Sequence, residues 1–380
     1  MTEYESQAQI VNRPAVRNRR RRNLNGIVVA ALAGMLLTRV QLSAESDSAH
    51  PDQRFEFHRI EMGVEFRIEV YGCDSAAANK AAEAAFDRIR ELNGLMSDYS
   101  ADSEVRRLCD TAEAGQPITI SRDLFRVLAA SVSLWRESDG AFDVTVGPLT
   151  KLWRRARRRG EMPPADQLQL ARDSIGSDAI SLSACQRTVT LARSGMRIDL
   201  GGIAKGYAAD EALEVLRKQG FPRALIDASG DLVAGDPPPG KRGWRVAIEV
   251  LDSPKQHADV PSGNSAAVRS VLVLANQAVA TSGSTVQFID IDGRPYSHII
   301  DPRTGLGLQT HSMVTVVAPT GTKADSLASA ISVLGVPAGL DLAKRSRPDE
   351  VQVRIQTLTP DGQTRRVDSL GFERLLATPQ

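Results

Sequence analysis

The chain has 380 residues, 42% of them hydrophobic and 24% charged, the composition of a globular protein with a sizeable core; wholesale disorder, collagen and coiled coil are excluded. Aromatics make up only 4%, too few for a base-stacking surface, and 47 basic against 46 acidic residues leave a net charge of +1, which argues against a dedicated nucleic-acid binder. Three cysteines, Cys73, Cys109 and Cys185, lie far apart with no C-x-x-C pair, so buried free thiols are expected rather than a zinc site or a disulfide framework.

The charge is uneven. Arg13, Arg17 and the run Arg19 to Arg22 precede an apolar stretch from Gly26 to Leu37. A basic segment followed by a short apolar one is the layout of an export signal, and the apolar part falls short of the roughly 20 residues of a bilayer span. Arg20-Arg21-Arg22-Asn23-Leu24 loosely resembles a twin-arginine signal, and Ala44 could close a cleavage site. The expected organisation is a signal at 1–44, a polar linker at 45–54 and a functional domain at 55–380, in an exported protein that is periplasmic or held at the outer face of the inner membrane. The alternative is a basic cytoplasmic tail followed by a short buried helix.

Alternation of apolar and charged residues over 55–60 and 64–70 predicts two strands joined at Met62-Gly63. Asp74 or Ser75 caps a predicted helix to about Met96, with Ala82, Phe86, Ile89, Leu92 and Met96 on one stripe. A second amphipathic helix is predicted from Ser121 to Ser138, stopped by Gly140. Residues 151–185 are basic, then Pro-rich, then weakly helical. A strand at 195–200 leads through Gly201-Gly202 into a helix with Ala209, Ala212, Leu213 and Leu216 inward. Residues 222–234 and 243–251 are strand-like, and 253–266 a loop. Asp292-Gly293 signals a hairpin between 286–291 and 296–300. A strand at 313–318, a helix from Gly321 to Leu334 and a hairpin around Pro360-Asp361-Gly362 complete the chain. Strands and helices mix without βαβ alternation, so the fold class is α+β.

Four places could carry chemistry. Asp199-Leu200-Gly201-Gly202-Ile203-Ala204-Lys205-Gly206 joins a glycine bend to a helix start, where main-chain N–H groups favour anions; a plain tight turn is the alternative. Asp325 and Ser329, four apart on a helix, put a carboxylate and a hydroxyl on one face, which suits Mg²⁺; a capping box from Thr322 to Asp325 is the alternative. His298, on the second hairpin strand, is a candidate general base or a polar surface residue. Asp143 sits in the glycine-bounded apolar loop Gly140 to Leu149, where a backbone-bonded turn competes. The patch Arg154 to Arg159 reads as a solvated connector.

Seven stretches in fixed order carry a resemblance to a known family: Met62-Gly63, Ser97 to Glu104, Gly140 to Leu149, Ile198 to Ala208, Ala280 to Ser284, Ser297 to Gly305, and Ala324 to Ala330. Together they resemble the ApbE family, the FAD:protein FMN transferases, over about residues 55–340. The resemblance implies a single α+β domain of the T-fold-like type with FAD in a cleft. It implies that Met62 and Tyr99 pack against the flavin nucleotide, and that Ala141, Phe142 and Asp143 line its site. Asp199 and Lys205 would contact FAD. Mg²⁺ would be held by Asp325, Ser329 and the main-chain carbonyl of Gly202. His298, or a carboxylate such as Asp301, would be the base in transfer of FMN to a Thr or Ser of an acceptor redox protein, with AMP released. Some relatives carry Thr where Ser329 stands, which keeps a hydroxyl, and many carry a lipid-anchoring Cys that is missing here. The competing readings are an FAD pyrophosphatase, a non-catalytic FAD-binding module and, remotely, a nucleic-acid binder using Arg154 to Arg159. Neither the acceptor's identity nor the oligomeric state is legible in the sequence.

Overall fold

The computed structural model describes residues 52–251, 270–283, 288–347, 349–359 and 361–377. The expected signal at 1–44 and the loop at 253–266 lie outside the described residues. Strands β1 (Gln53–Glu61) and β2 (Val64–Gly72) form the predicted hairpin, so Gln53 and Arg54, expected in the linker, already belong to a strand. Helix α1 (Ser75–Met96) starts at Asp74, whose carboxylate accepts from the Ala76 and Ala77 N–H groups at 2.8 and 3.2 Å. Then come α2 (Glu104–Thr111), β3 (Pro117–Thr119) and α3 (Arg122–Glu137), the last capped by Ser121.

The stretch 151–185, read as basic, Pro-rich and weakly helical, is folded over most of its length, and its Arg154 to Arg159 patch lies on a helix rather than in a connector. It contains α4 (Gly147–Arg159), α5 (Ala165–Asp173) and β4 (Ile180–Ser183), which pairs with β5 (Thr188–Leu191). Leu149, Trp153 and Ala156 of α4 are buried at helical spacing, a stripe that the intervening arginines conceal in the sequence. Residues 195–200 are not a strand: Gly195 lies in a turn at φ 76°, and Arg197 makes a single parallel bridge to Val146. Helix α6 (Ala204–Lys218) buries Ala209, Ala212, Leu213 and Leu216 as expected. Residues 222–234 make two strands, β6 (Ala224–Ala228) and β7 (Asp231–Ala234), turned at Ser229 (φ 55°) and Gly230 (φ 100°). After β8 (Trp244–Ile248), β9 (Ser270–Leu274) and β10 (Gln277–Gly283) comes the Asp292-Gly293 hairpin of β11 (Phe288–Ile291) and β12 (Arg294–Ser297). His298 therefore follows its strand rather than lying in it. Short strands β13 (Ile300–Asp301) and β14 (Leu306–Gly307) lead to β15 (Ser312–Ala318), α7 (Gly321–Leu334), α8 (Ala338–Arg345), β16 (Gln352–Leu358) and β17 (Thr364–Asp368).

The fold is α+β, as expected. Its frame is an antiparallel eight-stranded sheet in the order β1-β2-β6-β7-β10-β15-β16-β17. Because strand residues alternate between faces, Ile226 looks to one side and Leu225 to the other. The first side packs Phe66, Ile68, Val70, Ile226 and Val316 under α1, α3, α6 and α7. The second packs Leu225, Leu232, Val279 and Val317 under the β8–β9 hairpin and Phe372. A third, smaller cluster joins α4 and α5 to the β11–β14 region through Leu149, Trp153, Tyr296 and Ile300. All three cysteines are free, and Cys73 and Cys185 are exposed, so the expected burial of thiols fails for both; only Cys109 is sheltered.

Helices α6 and α7 meet at glycines. A Cβ on Gly321 would lie 2.6 Å from the Gly206 carbonyl oxygen, and one on Gly206 would overlap the Gly321 carbonyl. The start of α7 is then held from α6, since Asp210 accepts from the N–H groups of Gly321 (2.6 Å) and Thr322 (2.9 Å) and from Thr322 Oγ1 (2.6 Å). Those N–H groups have no partner within their own helix. Gly206→Ala should force the helices apart and lower stability by about 1–3 kcal/mol, measured by denaturant unfolding.

Candidate active site

The Asp199–Lys205 bend is shaped by local hydrogen bonds. Asp199 N–H donates to the Val144 carbonyl at 2.7 Å, and its carboxylate accepts from Gly201 N–H at 2.9 Å. The bend thus sits beside the Gly140–Leu149 loop before turning into α6. Across from it, α7 presents Asp325 and Ser329. Asp325 Oδ2 accepts from Gly206 N–H at 3.1 Å, and a Cβ on Gly202 would come within 2.8 Å of Ser329 Oγ. Only glycine at 202 lets the main chain approach that hydroxyl. The capping box proposed for Thr322 to Asp325 is not formed: Thr320 caps α7 through Lys323 N–H, and Asp325 faces α6.

These groups line a cavity of about 680 Å³. It brings together Tyr99, Ala141, Phe142, Asp143, Asp199, Gly202, Lys205, His298, Asp325 and Ser329, residues drawn from widely separated parts of the chain. Met62 is the exception: it sits in the β1–β2 turn at φ 52°, packed against the main core and absent from the cavity lining. Asp301, the alternative base, is also absent from the lining; Arg303 grips it with two bonds of 2.9 Å. Asp143 lines the cavity, but its oxygens already accept from Thr145 N–H and Oγ1 and from Ser177 N–H and Oγ. It therefore holds the loop that presents Ala141 and Phe142, the backbone-bonded turn of the sequence reading.

Several lining residues escaped the sequence reading. Arg154 and Arg157 reach the cavity from α4, whereas their neighbours Arg155, Arg158 and Arg159 stay in solvent. Arg154 lies 4.4 Å from the centroid of the exposed Tyr99 ring, donates to Asp98 at 2.8 Å and stands 3.7 Å from Asp199. Asp231, at the start of β7, forms an ion pair with Lys205. Arg154 is set apart from the other arginines only by the burial of Trp153 and Leu149 on its helix. No local signal marks Asp231 either, which only the β6–β7 turn brings to Lys205.

The cavity floor is electrostatically tense. Burial, followed by the charge of Asp231, pushes the Asp325 carboxyl up to about 7, with Lys205 pulling the other way. Burial also raises Asp231. Asp199 is raised by burial and by Asp98, against Gly201 N–H and Arg154. One ammonium thus faces two buried carboxyls. No group of three or more His, Cys, Asp or Glu side chains is placed to hold a metal among the described residues. A cation at this site would instead use one carboxylate, one hydroxyl and the main chain at Gly202. That donor set, all oxygen, fits a hard ion such as Mg²⁺, which keeps several of its waters.

The model of the ApbE family matches residues 62–355. The chain belongs to the ApbE family. Among curated relatives, an FAD:protein FMN transferase of Haemophilus influenzae is 30% identical over 292 residues, covering 75% of this chain and 82% of the relative. One of Treponema pallidum is 32% identical over 298 residues, covering 74% and 79%. The solved flavin transferase ApbE of Vibrio cholerae superposes with a TM-score of 0.74 at 27% identity, covering 86% of this chain and all of that one. The apo flavinyl transferase ApbE of Pseudomonas stutzeri gives a TM-score of 0.74 at 28% identity, covering 87% and 99%.

The raised Asp325 has a consequence for stability. The folded protein holds this proton more tightly than an unfolded chain, whose carboxyl titrates near 3.8, so the ionised carboxylate destabilises the fold as pH rises from about 4 to about 7. Without metal, Asp325→Asn should gain thermal stability over the wild type at pH 8 and lose that advantage at pH 4, as read from melting temperatures across pH.

Proposed function

We propose that this protein is an exported FAD:protein FMN transferase. The observation that carries this reading is the convergence, in a member of the ApbE family, of Gly202, Lys205, His298, Asp325 and Ser329 on one cavity. An acceptor Thr or Ser hydroxyl attacks the phosphorus on the FMN side of the FAD diphosphate. The new bond is Oγ–P; the bond that breaks joins that phosphorus to the bridging oxygen, which leaves with AMP and its electron pair. The basic segment and apolar stretch at 13–37 support export.

Each residue has a part that follows from its surroundings. His298, half-buried in the lining, takes the proton of the attacking hydroxyl, a weak nucleophile until then. Asp301 is a poor candidate because its carboxylate is tied to Arg303. Lys205, kept charged by Asp231 and Asp325, supplies a fixed cation beside the diphosphate. Asp325, Ser329 and the Gly202 carbonyl would hold Mg²⁺, which when bound neutralises charge on the diphosphate and the leaving group. Tyr99, with Arg154 across its ring, and Phe142 offer flat surfaces for the nucleotide's ring systems.

The test is mass spectrometry of a candidate acceptor incubated with FAD and Mg²⁺. A covalent FMN-sized increment on Thr or Ser is expected; FMN and AMP released at the same rate without acceptor would replace transfer with hydrolysis. Asp325→Ala should keep the fold and lose transfer by about two to three orders of magnitude, each tenfold being about 1.4 kcal/mol of barrier. His298→Ala should lower kcat by about 10²–10⁴-fold while the Kd for FAD, measured by flavin fluorescence, stays within a few-fold.

A further inference from the structure

A second cavity, of about 720 Å³, lies on the face of the main sheet that carries the β8–β9 hairpin, and the reaction described above leaves it unused. Its floor is sheet: Tyr71 of β2, Leu225 of β6, Leu232 of β7 and Val279 of β10. Its wall is the run Gly243 to Glu249, seven consecutive residues with none skipped. Successive strand residues point to opposite faces, so an unbroken run lines a groove only when the strand turns its edge toward it. β8 pairs with β9 along one edge and has no strand on the other among the described residues. An unpaired edge is a template for an added strand. The five residues of β8 at about 3.3 Å each give an edge of about 17 Å.

The groove leads to the active site. Ser229 and Thr281 line both cavities. Thr281 N–H bonds the carboxylate of Asp231, and Asp231 is the partner of Lys205. The two cavities therefore meet beside the group assigned to the diphosphate, where an attacking hydroxyl has to arrive. Two other cavities also touch the first: one at Asp143 and Pro302, where the Asp143 carboxylate is already bound by Thr145 and Ser177, and one at Tyr99 and Arg154, where Arg154 is tied to Asp98, away from Lys205.

We propose that this groove docks the acceptor: an extended segment of the acceptor protein adds as a strand along the edge of β8 that has no partner strand among the described residues, and passes its Thr or Ser hydroxyl between Ser229 and Thr281 to the diphosphate. This rests on the transferase reading and adds no bond-making step to it. Lys241, Arg245 and Glu249, all exposed on the rim, would read charged side chains of the segment in addition to its main chain. The groove would thus set which proteins are modified, while the first cavity sets which nucleotide is used.

The test uses a flavin-free redox-protein domain that the wild-type enzyme loads with FMN. Ala247→Trp, at an exposed position on β8, and Arg245→Glu should each raise the KM for that acceptor about tenfold or more, with kcat, the Kd for FAD and acceptor-free flavin release unchanged. Leu170→Trp, exposed on α5, should change none of these. As a second measurement that leaves the groove open, a photo-crosslinking residue at 247 should join the acceptor within the segment that bears the flavinylated hydroxyl. Unchanged acceptor KM in both groove variants, or crosslinks mapping to a distant acceptor surface, would overturn the docking assignment. A wild-type enzyme that loads no acceptor would overturn the transferase reading, and the groove's role with it.

Discussion

The site depends on how closely two helices can pass. Where α6 and α7 meet, Gly206 and Gly321 leave so little room that neither could carry a methyl group without moving a carbonyl oxygen. That contact brings the Gly201-Gly202 bend, which precedes α6, against Asp325 and Ser329 of α7. Asp325 then accepts a hydrogen bond from Gly206 N–H, and Asp210 returns the support by satisfying the free N–H groups of α7. Neither helix has its final position without the other, and the alanine-rich faces of α1 and α6 continue the same close packing away from the site.

The arrangement is costly in isolation. Lys205, Asp231 and Asp325 are crowded at the cavity floor, and two of the three would be easier to bury as neutral groups. Burying ionisable groups with one positive charge too few is a poor way to stabilise a fold and a reasonable way to attract a cation and, through it, a polyanionic nucleotide. Stability and function pull apart here, as they commonly do where a site must hold charge ready for a ligand.

Much of this was legible in the sequence, for identifiable reasons. Asp74 and Ser121 begin helices by accepting from nearby N–H groups, so the cap and the apolar stripe after it could be read locally, whereas the cap of α7 was read two residues late, at Thr322 instead of Thr320. Asp292-Gly293 fixed its hairpin in the same way. The Gly202, Asp325 and Ser329 set was found only because spaced motifs in fixed order made the family recognisable; the spacing of each alone allowed a plain turn or a capping box. What escaped was non-local. Arg154 looked like one of many surface arginines until Trp153 and Leu149 were seen buried beside it. Met62 marked a turn correctly, yet its side chain joins the core. His298 fell just beyond its strand, because pairing stops at Ser297.

One further consequence comes from the small cluster that joins α4 to the β11–β14 region. Trp153 Nε1 donates to the Gly305 carbonyl at 2.8 Å, and the Trp153 ring packs at 5.2 Å from Tyr296, only two residues before His298. The histidine's segment is thus anchored to its own local core, separate from the large cluster beneath the main sheet. A change in the main core that is absorbed by repacking there need not be passed on to His298. Over evolutionary time such insulation would let the frame of the fold diverge widely while His298 keeps its place.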